Sequence, residues 1–212
     1  MSPRSTEQNE QIRTERIEQI MQAALEVYIE KGIRGTEMGD IAKKAGIARG
    51  LVYYYYKNKL DLFRELFTRY IELAQTFIQS RLTAEEDSLT KLKKYTRFYM
   101  EMAQNRPDLM RFYRNMENDI TLVFETDSEA VRNSYTLNTH QPLIQAFERA
   151  MNEGKLKKSD PKIIVNVYWG ALTGTLDLFV NGQIKKEDLE QTIHHVIDLI
   201  FNGLQHNKCE GM

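Results

Sequence analysis

Residues 36–59 read TEMGDIAKKAGIARGLVYYYYKNK, two short stretches of helical apolar spacing joined through Gly46 and closed by four consecutive tyrosines, Tyr53 to Tyr56. Ile41, Ala42 and Ala45 fall on one side of a helix over Met38–Ala45, with Thr36 available as its cap and Gly46 permitting a tight turn. The second helix is expected over Arg49–Tyr55. Successive residues step around a helix by about 100°, so four adjacent rings cannot share a face. With Val52 pointing inward, Tyr56 lies about 40° away on the same side. Gly50, Leu51 and Tyr54 then face the opposite way, with Tyr53 and Tyr55 on the flanks. Two short helices joined through a glycine turn form the helix-turn-helix pattern, whose second helix lies in the major groove of DNA.

The flanking sequence completes a small helical unit. Ile17, Ile20, Met21, Ala24, Val27 and Tyr28 mark one face of a first helix that ends at Gly32, a residue suited to the left-handed cap. Asn58 is placed to cap a long fourth helix with Leu62, Phe63, Leu66, Phe67, Tyr70, Ala74, Phe77 and Ile78 along one stripe. Net charge over the 212 residues is only −1, but it is unevenly spread. Lys31, Arg34, Lys43, Lys44, Arg49, Lys57 and Lys59 stand against Glu37 and Asp40, a local +5 that leaves −6 on the remainder. A basic segment on an acidic body attracts a polyanion and orients the molecule on approach.

Leu51–Tyr56 has no polar face apart from hydroxyls, so a soluble protein must bury this helix completely or set its rings against a partner. On DNA, Tyr54 and Leu51 are placed to meet base edges and thymine methyls, and Tyr53 and Tyr55 to meet the phosphate walls. Arg49 is placed to reach a guanine edge or a phosphate, and Gly50 lets the backbone approach closely. The elements Ala23-Ala24, Tyr28, Gly32, Thr36, Asp40-Ile41-Ala42, Ala45-Gly46-Ile47, Gly50, Val52-Tyr53, Tyr56, Lys59 and Leu62 occur at a joint spacing that resembles the DNA-binding domain of the TetR family of bacterial transcriptional regulators. The resemblance covers the first third of the chain. It implies that Thr36 and Lys59 contact phosphates and that Arg49, Gly50, Leu51, Tyr53, Tyr54 and Tyr55 occupy the recognition helix. Ala48 stands where such proteins commonly carry a serine N-cap, a loss of roughly 1 kcal/mol, and Tyr56 replaces a frequent phenylalanine.

Strand alternation is nearly absent, so the chain is expected to be all-α with about nine helices. The expected organisation is a tail at 1–11, a helix-turn-helix DNA-binding domain at 12–60, a helical effector-binding and dimerisation domain at 61–206 and a tail at 207–212. Later helices are expected at Leu89–Ala103, Pro107–Met116, Glu129–Asn152, Pro161–Asn181 and Lys186–Leu204, with Thr126 and Glu129 as a capping box. TetR-like proteins dimerise through their last two long helices. Here Leu189, Ile193, Val196, Ile197, Ile200 and Leu204 form one stripe, and Ile163–Val180 is apolar around most of its circumference, with Gly170 and Gly174 one turn apart. A homodimer interface is therefore expected at Gly170, Gly174, Ile193, Ile197 and Ile200.

The family plan also implies a small-molecule pocket. Phe77, Phe98, Tyr99, Met102, Met110, Tyr113, Met116, Phe147, Tyr168 and Trp169 supply rings and thioethers suited to a bulky apolar or aromatic effector, with Arg111, Arg114 and Asp177 as ion-pairing handles. The expected function is a transcriptional regulator, a repressor released from a palindromic operator by that effector. The alternative is a constitutive or architectural DNA-binding dimer without an effector, and the sign of regulation is not written in the sequence.

No phosphate-binding glycine loop or HExxH is present, and none of His140, His194, His195 and His206 has a glutamate three residues before it. No catalytic residue, metal ligand or cofactor is therefore expected. The single cysteine, Cys209, the polar first ten residues and the short uncharged run Ile163–Leu176 give the expectation of a cytoplasmic protein without a membrane segment.

Overall fold

A computed structural model describes residues 6–83 and 85–203. Among these, nine α-helices follow one another: α1 (Thr6–Gly35), α2 (Met38–Ala45), α3 (Arg49–Tyr55), α4 (Lys59–Leu82), α5 (Ser88–Asn105), α6 (Pro107–Phe124), α7 (Ser128–Asn152), α8 (Pro161–Val180) and α9 (Leu189–Asn202). Single 3-10 turns at Glu125–Asp127 and Lys186–Asp188 lead into α7 and α9. The expected tail at 207–212, Cys209, His206 and Leu204 lie outside the described residues, as do positions 1–5 of the expected first tail. Positions 6–11 of that tail are helical, because α1 starts at Thr6.

Helix ends follow local chemistry. Gly32 breaks the regular path of α1 at φ 66°, and the Thr36 hydroxyl donates to the Gly32 carbonyl at 2.7 Å. Thr36 is therefore not the cap of α2: Glu37 holds that position, and its N–H donates to the Asp40 carboxylate at 3.2 Å. Gly46 closes α2 in the left-handed region, with Ile47 N–H reaching Ala42 O at 3.0 Å and Gly46 N–H reaching Lys43 O at 3.2 Å. That pair of bonds satisfies two carbonyls which a helix end otherwise leaves open. Helix α3 starts from Ala48 with no side-chain cap, and Asn58 caps α4 by accepting from Asp61 N–H at 3.0 Å.

The helices form two compact units, one comprising the residues up to Ile71 together with Phe112–Val131, the other comprising Glu72–Arg111 and the residues from Arg132 onward. The first unit is built around Tyr28, whose ring meets Phe63 and Phe67 at 5.4 Å and Phe112 at 5.5 Å. Its hydroxyl donates to Asp119 at 2.8 Å. Helix α6 therefore does not stop at Met116. Phe112, Met116, Ile120 and Val123 keep one buried stripe to its end, and Arg64 Nε donates to the Val123 carbonyl at 2.9 Å. Asn118, Asp119 and Thr121 are poor helix formers, so these tertiary contacts sustain the last turns.

The second unit has a separate core in which Leu92, Leu143, Phe147, Leu172, Ile193 and Phe201 are fully enclosed. Helix α8 is long and apolar enough to cross a bilayer by length and composition alone, yet Ile164, Val165, Tyr168, Leu172, Leu176, Phe179 and Val180 pack inward. Its other face, with Ile163, Val167 and Leu178, is exposed, as is Leu199 on α9.

Candidate nucleic-acid interface and effector site

The side-chain arrangement of α3 follows from a seven-residue helix with one anchor on each inward turn. Val52 is fully buried and Tyr56, just past the helix end, is 5% exposed. Tyr54 on the opposite side is 79% exposed and Tyr53 43% exposed. Arg49 and Gly50 are exposed, whereas Leu51 and Tyr55 are half-buried. Arg49 donates to the Tyr53 hydroxyl at 3.3 Å with its guanidinium over the same ring, and the Tyr54 and Tyr55 rings meet edge to face at 5.1 Å. These contacts hold the outward rings in fixed relative positions before any partner arrives. The Tyr56 hydroxyl is buried beside Glu65 with no hydrogen bond of acceptable geometry, and burial pushes its pKa upward. Arg69 and Glu18 pair at 2.5 Å close to the same hydroxyl.

The basic segment is partly neutralised within the unit. Lys44 pairs with Glu26 and Glu30 at 3.2 and 3.0 Å, and Lys31 with Asp40 at 2.9 Å. Arg34, Lys43, Arg49 and Lys57 are exposed. Lys59 Nζ donates to the Thr36 carbonyl at 2.8 Å, which fixes the start of α4 against the turn before α2. Thr36 itself is completely buried with its hydroxyl turned to Gly32, so its side chain does not face outward.

In the second unit the structure gathers part of the expected ring set. Phe77 and Phe98 lie 4.1 Å apart between centroids, Phe98 and Tyr99 6.0 Å, and Tyr99 and Trp169 5.7 Å. All four are half-buried. Met102 and Met110 are half-buried in the same unit. Phe147 and Tyr168 are core residues, and the Tyr168 hydroxyl shares a hydrogen bond with Thr96 at 3.0 Å. Tyr113 and Met116 belong to the first unit, where the Tyr113 hydroxyl donates to Tyr70 O at 3.2 Å and Met116 is fully buried. Arg111 is engaged at the end of α8, donating to Val180 O at 2.7 Å. Of the expected interface residues, Gly170 and Gly174 are exposed and an added Cβ on either meets nothing within 4 Å. Ile197 and Ile200 are half-buried, whereas Ile193 is fully enclosed and belongs to the core of its own chain.

Sequence reasoning missed three features. Tyr95 is buried with its hydroxyl lacking a hydrogen bond of acceptable geometry, 4.8 Å from the Tyr99 ring between centroids. Burial pushes the pKa of both phenols upward. Arg81 lies over the Phe77 and Phe98 rings at 5.2 and 5.6 Å. The i, i+4 spacing of Phe77 and Arg81 was the available signal for that contact. An open groove of about 280 Å³ on α5 and α9, lined by Thr90, Lys93, Lys94, Arg97, His194, Ile197 and Asp198, is the third. Its charged side chains are largely paired, Lys94 with Glu86 and Arg97 with Glu190 at 2.8 Å, and His194 Nε2 lies 3.2 Å from the Asp198 carboxylate.

Comparison with known proteins agrees with this architecture. The bacterial regulatory proteins of the tetR family match residues 20–66. The fatty acid metabolism regulator protein of Bacillus subtilis (strain 168) is 26% identical over 206 residues, 90% of this chain and 95% of that one. The solved fatty acid degradation regulator FadR from Bacillus halodurans superposes with a TM-score of 0.71 at 23% identity, over 90% of this chain and 97% of that one. AibR, solved in complex with isovaleryl coenzyme A and operator DNA, superposes with a TM-score of 0.67 at 18% identity, over 88% and 98% of the two chains. The helix-turn-helix of α2 and α3 lies inside the matched residues, so residues 20–66 form a DNA-binding domain of the tetR family of bacterial regulatory proteins, within an all-helical fold shared with solved regulators over nearly the whole length.

Proposed function

We propose that this regulator is a repressor that binds a palindromic operator as a homodimer and leaves it when a small apolar or aromatic effector binds the second unit. The observation that carries the DNA reading is the division of α3: Val52 and Tyr56 inward, Tyr54 at 79% exposure outward. An exposed ring of that size next to Tyr53 and Arg49 is suited to a partner surface, and the exposed cations Arg34, Lys43, Arg49 and Lys57 favour a polyanion as that partner. Arg49, Gly50, Leu51, Tyr53, Tyr54 and Tyr55 make the groove contacts. Lys59 keeps donors for a phosphate beyond the one bound to Thr36 O, so Thr36 acts by holding Lys59 and not through its own hydroxyl.

The exposed apolar face of α8, with Ile163, Val167 and the two glycines, supports dimerisation there, with Ile197 and Ile200 at its edge. The half-buried rings Phe77, Phe98, Tyr99 and Trp169, with Met102 and Met110, support the effector site. Two similar proteins carry fatty acid metabolism or degradation in their names and a third was solved with isovaleryl coenzyme A, which favours an apolar acyl effector over a sensorless DNA-binding dimer. Helix α4 runs from Lys59 beside α3 through Phe77 in the second unit, so displacement of its far end by an effector changes the separation of the two recognition helices. Selection and sequencing of DNA fragments bound by the purified protein, followed by a compound screen for release, tests the reading. An enriched inverted repeat released by a hydrophobic compound is expected; no enriched sequence overturns it.

A further inference from the structure

The ring cluster of the second unit ends at its solvent side on a guanidinium. Arg81 lies over Phe77 and Phe98, which are themselves 4.1 Å apart, and among the described residues it pairs with no carboxylate. A cation held on two aromatic faces gives up part of its hydration and its side-chain freedom. Ring contacts leave the N–H fork, the part of the group that matches a carboxylate or phosphate bidentately, without an acceptor. From Phe98 the cluster continues inward through Tyr99 to Trp169 and Tyr95, and the Tyr95 hydroxyl at its buried end lacks a hydrogen bond. The cluster is thus cationic at its outer end and closed by a neutral phenol at its inner one, with the His140 imidazole 5.8 Å from the Trp169 ring beside its aromatic middle.

We propose that Arg81 is the charged anchor of the effector site, and that the effector is an anionic amphiphile whose acidic group sits on Arg81 while its apolar body lies against Tyr99 and Trp169. This rests on the reading of the ring cluster as the effector site. A carboxylate and a phosphate ester both meet the chemistry, and a neutral or cationic molecule of the same body does not. An aromatic cluster without Arg81 would instead favour a quaternary ammonium, because ring faces attract cations.

Trp169 is the single tryptophan of the chain and stands in the cluster, so its fluorescence reports occupancy directly. The wild-type protein is titrated, below micellar concentrations, with decanoate, decyl phosphate, decan-1-ol and decyltrimethylammonium, and the same series is run on Arg81→Met, which keeps an apolar side chain over the two rings. The expected result is at least tenfold tighter binding of one or both anions than of the alcohol, with the ammonium weakest, and loss of that preference in Arg81→Met while alcohol binding stays within twofold. Preference for decanoate over decyl phosphate, or the reverse, identifies the acid group. Equal affinity for anion and alcohol in the wild type, a preference for the ammonium, or an anion preference that survives Arg81→Met overturns the proposal while leaving the effector site in place. No change in Trp169 emission with any of the four compounds overturns the effector-site reading along with it.

Discussion

Replacing Tyr56 by phenylalanine should stabilise the protein, an unusual outcome for a core substitution. The ring is buried against Val52 and the first-unit core, and Phe keeps that apolar contact unchanged. What is removed is one hydroxyl, desolvated and without a hydrogen bond of acceptable geometry. A buried polar group left unpaired costs about 1–3 kcal/mol. The hydroxyl lies beside the Glu65 carboxylate, which offsets part of that cost, so a gain of about 1 kcal/mol is expected. For a chain of 212 residues this raises the melting temperature by about 2–4 °C. Tyr56→Ala deletes the whole ring and leaves a cavity, at a cost of about 3–5 kcal/mol, and should lower the melting temperature by 6 °C or more at about 2 °C per kcal/mol. Thermal melts of the three proteins, with Tyr56→Phe repeated in a Glu65→Gln background, separate the contributions. A fall of more than 2 °C on Tyr56→Phe that disappears in the Glu65→Gln background would show a favourable hydroxyl–carboxylate bond and refute the reasoning.

Four further outcomes follow from the same geometry. Tyr54→Ala should leave the melting temperature within about 2 °C, as the ring is mostly exposed, and abolish sequence preference in DNA selection; retained preference removes Tyr54 from the base-reading set. Tyr28→Phe breaks the 2.8 Å bond to Asp119 and should cost about 1.5–3 kcal/mol, read by thermal melting, with an unchanged melt showing that the bond is neutral. An added Cβ at Gly174 meets nothing within 4 Å of its own chain, so Gly174→Leu should leave helical content intact and convert the proposed dimer to a monomer in analytical ultracentrifugation, with weaker operator binding; a persistent dimer moves the interface elsewhere. Tyr28, Tyr56, Tyr95, Tyr99 and Tyr168 all have phenol pKa values raised above the ordinary 10.0, chiefly by burial. Their neutral forms stabilise the fold fully below about pH 10, and that contribution is lost above it at about 1.4 kcal/mol per pH unit for each ring. Circular dichroism should therefore collapse together with the tyrosinate absorbance of these rings, and their ionisation in a still-folded protein would contradict the burial.

The helix-turn-helix segment was legible because its signals are local. Gly46 and Asn58 stop and start helices through their own backbone and side-chain chemistry, and the angle between Val52 and Tyr56 is a property of any helix. Errors arose where a local rule had a competitor of equal quality nearby. Thr36 and Glu37 both precede α2, and the Thr36 hydroxyl was drawn to Gly32 O, a carbonyl exposed by the positive φ of that glycine. The end of α6 was illegible for a different reason: Asn118, Asp119 and Thr121 argue against helix, and what overrides them is Tyr28, 91 residues earlier, and Arg64, 59 residues before Val123.

The same long-range contact explains why the ring residues could be counted but not assigned. Phe112 and Met116 continue the helical stripe that starts at Leu109, so periodicity places Met110, Tyr113 and Met116 on one helix with nothing to divide them. The division comes from what each turn meets. Phe112 is drawn to Tyr28, Phe67 and Tyr70, and Tyr113 to the Tyr70 carbonyl, while Arg111, one residue earlier, reaches the end of α8 in the other unit. Two adjacent residues of one helix thus serve two cores. A stripe read from sequence reports that a face is covered, and only the identity of the covering element tells a structural ring from one left to line a site. On that criterion Tyr99 and Trp169, covered mainly by each other and by neighbouring rings, stand apart from Phe147, which stacks on Phe201 and meets the Tyr168 ring edge-on in a closed core.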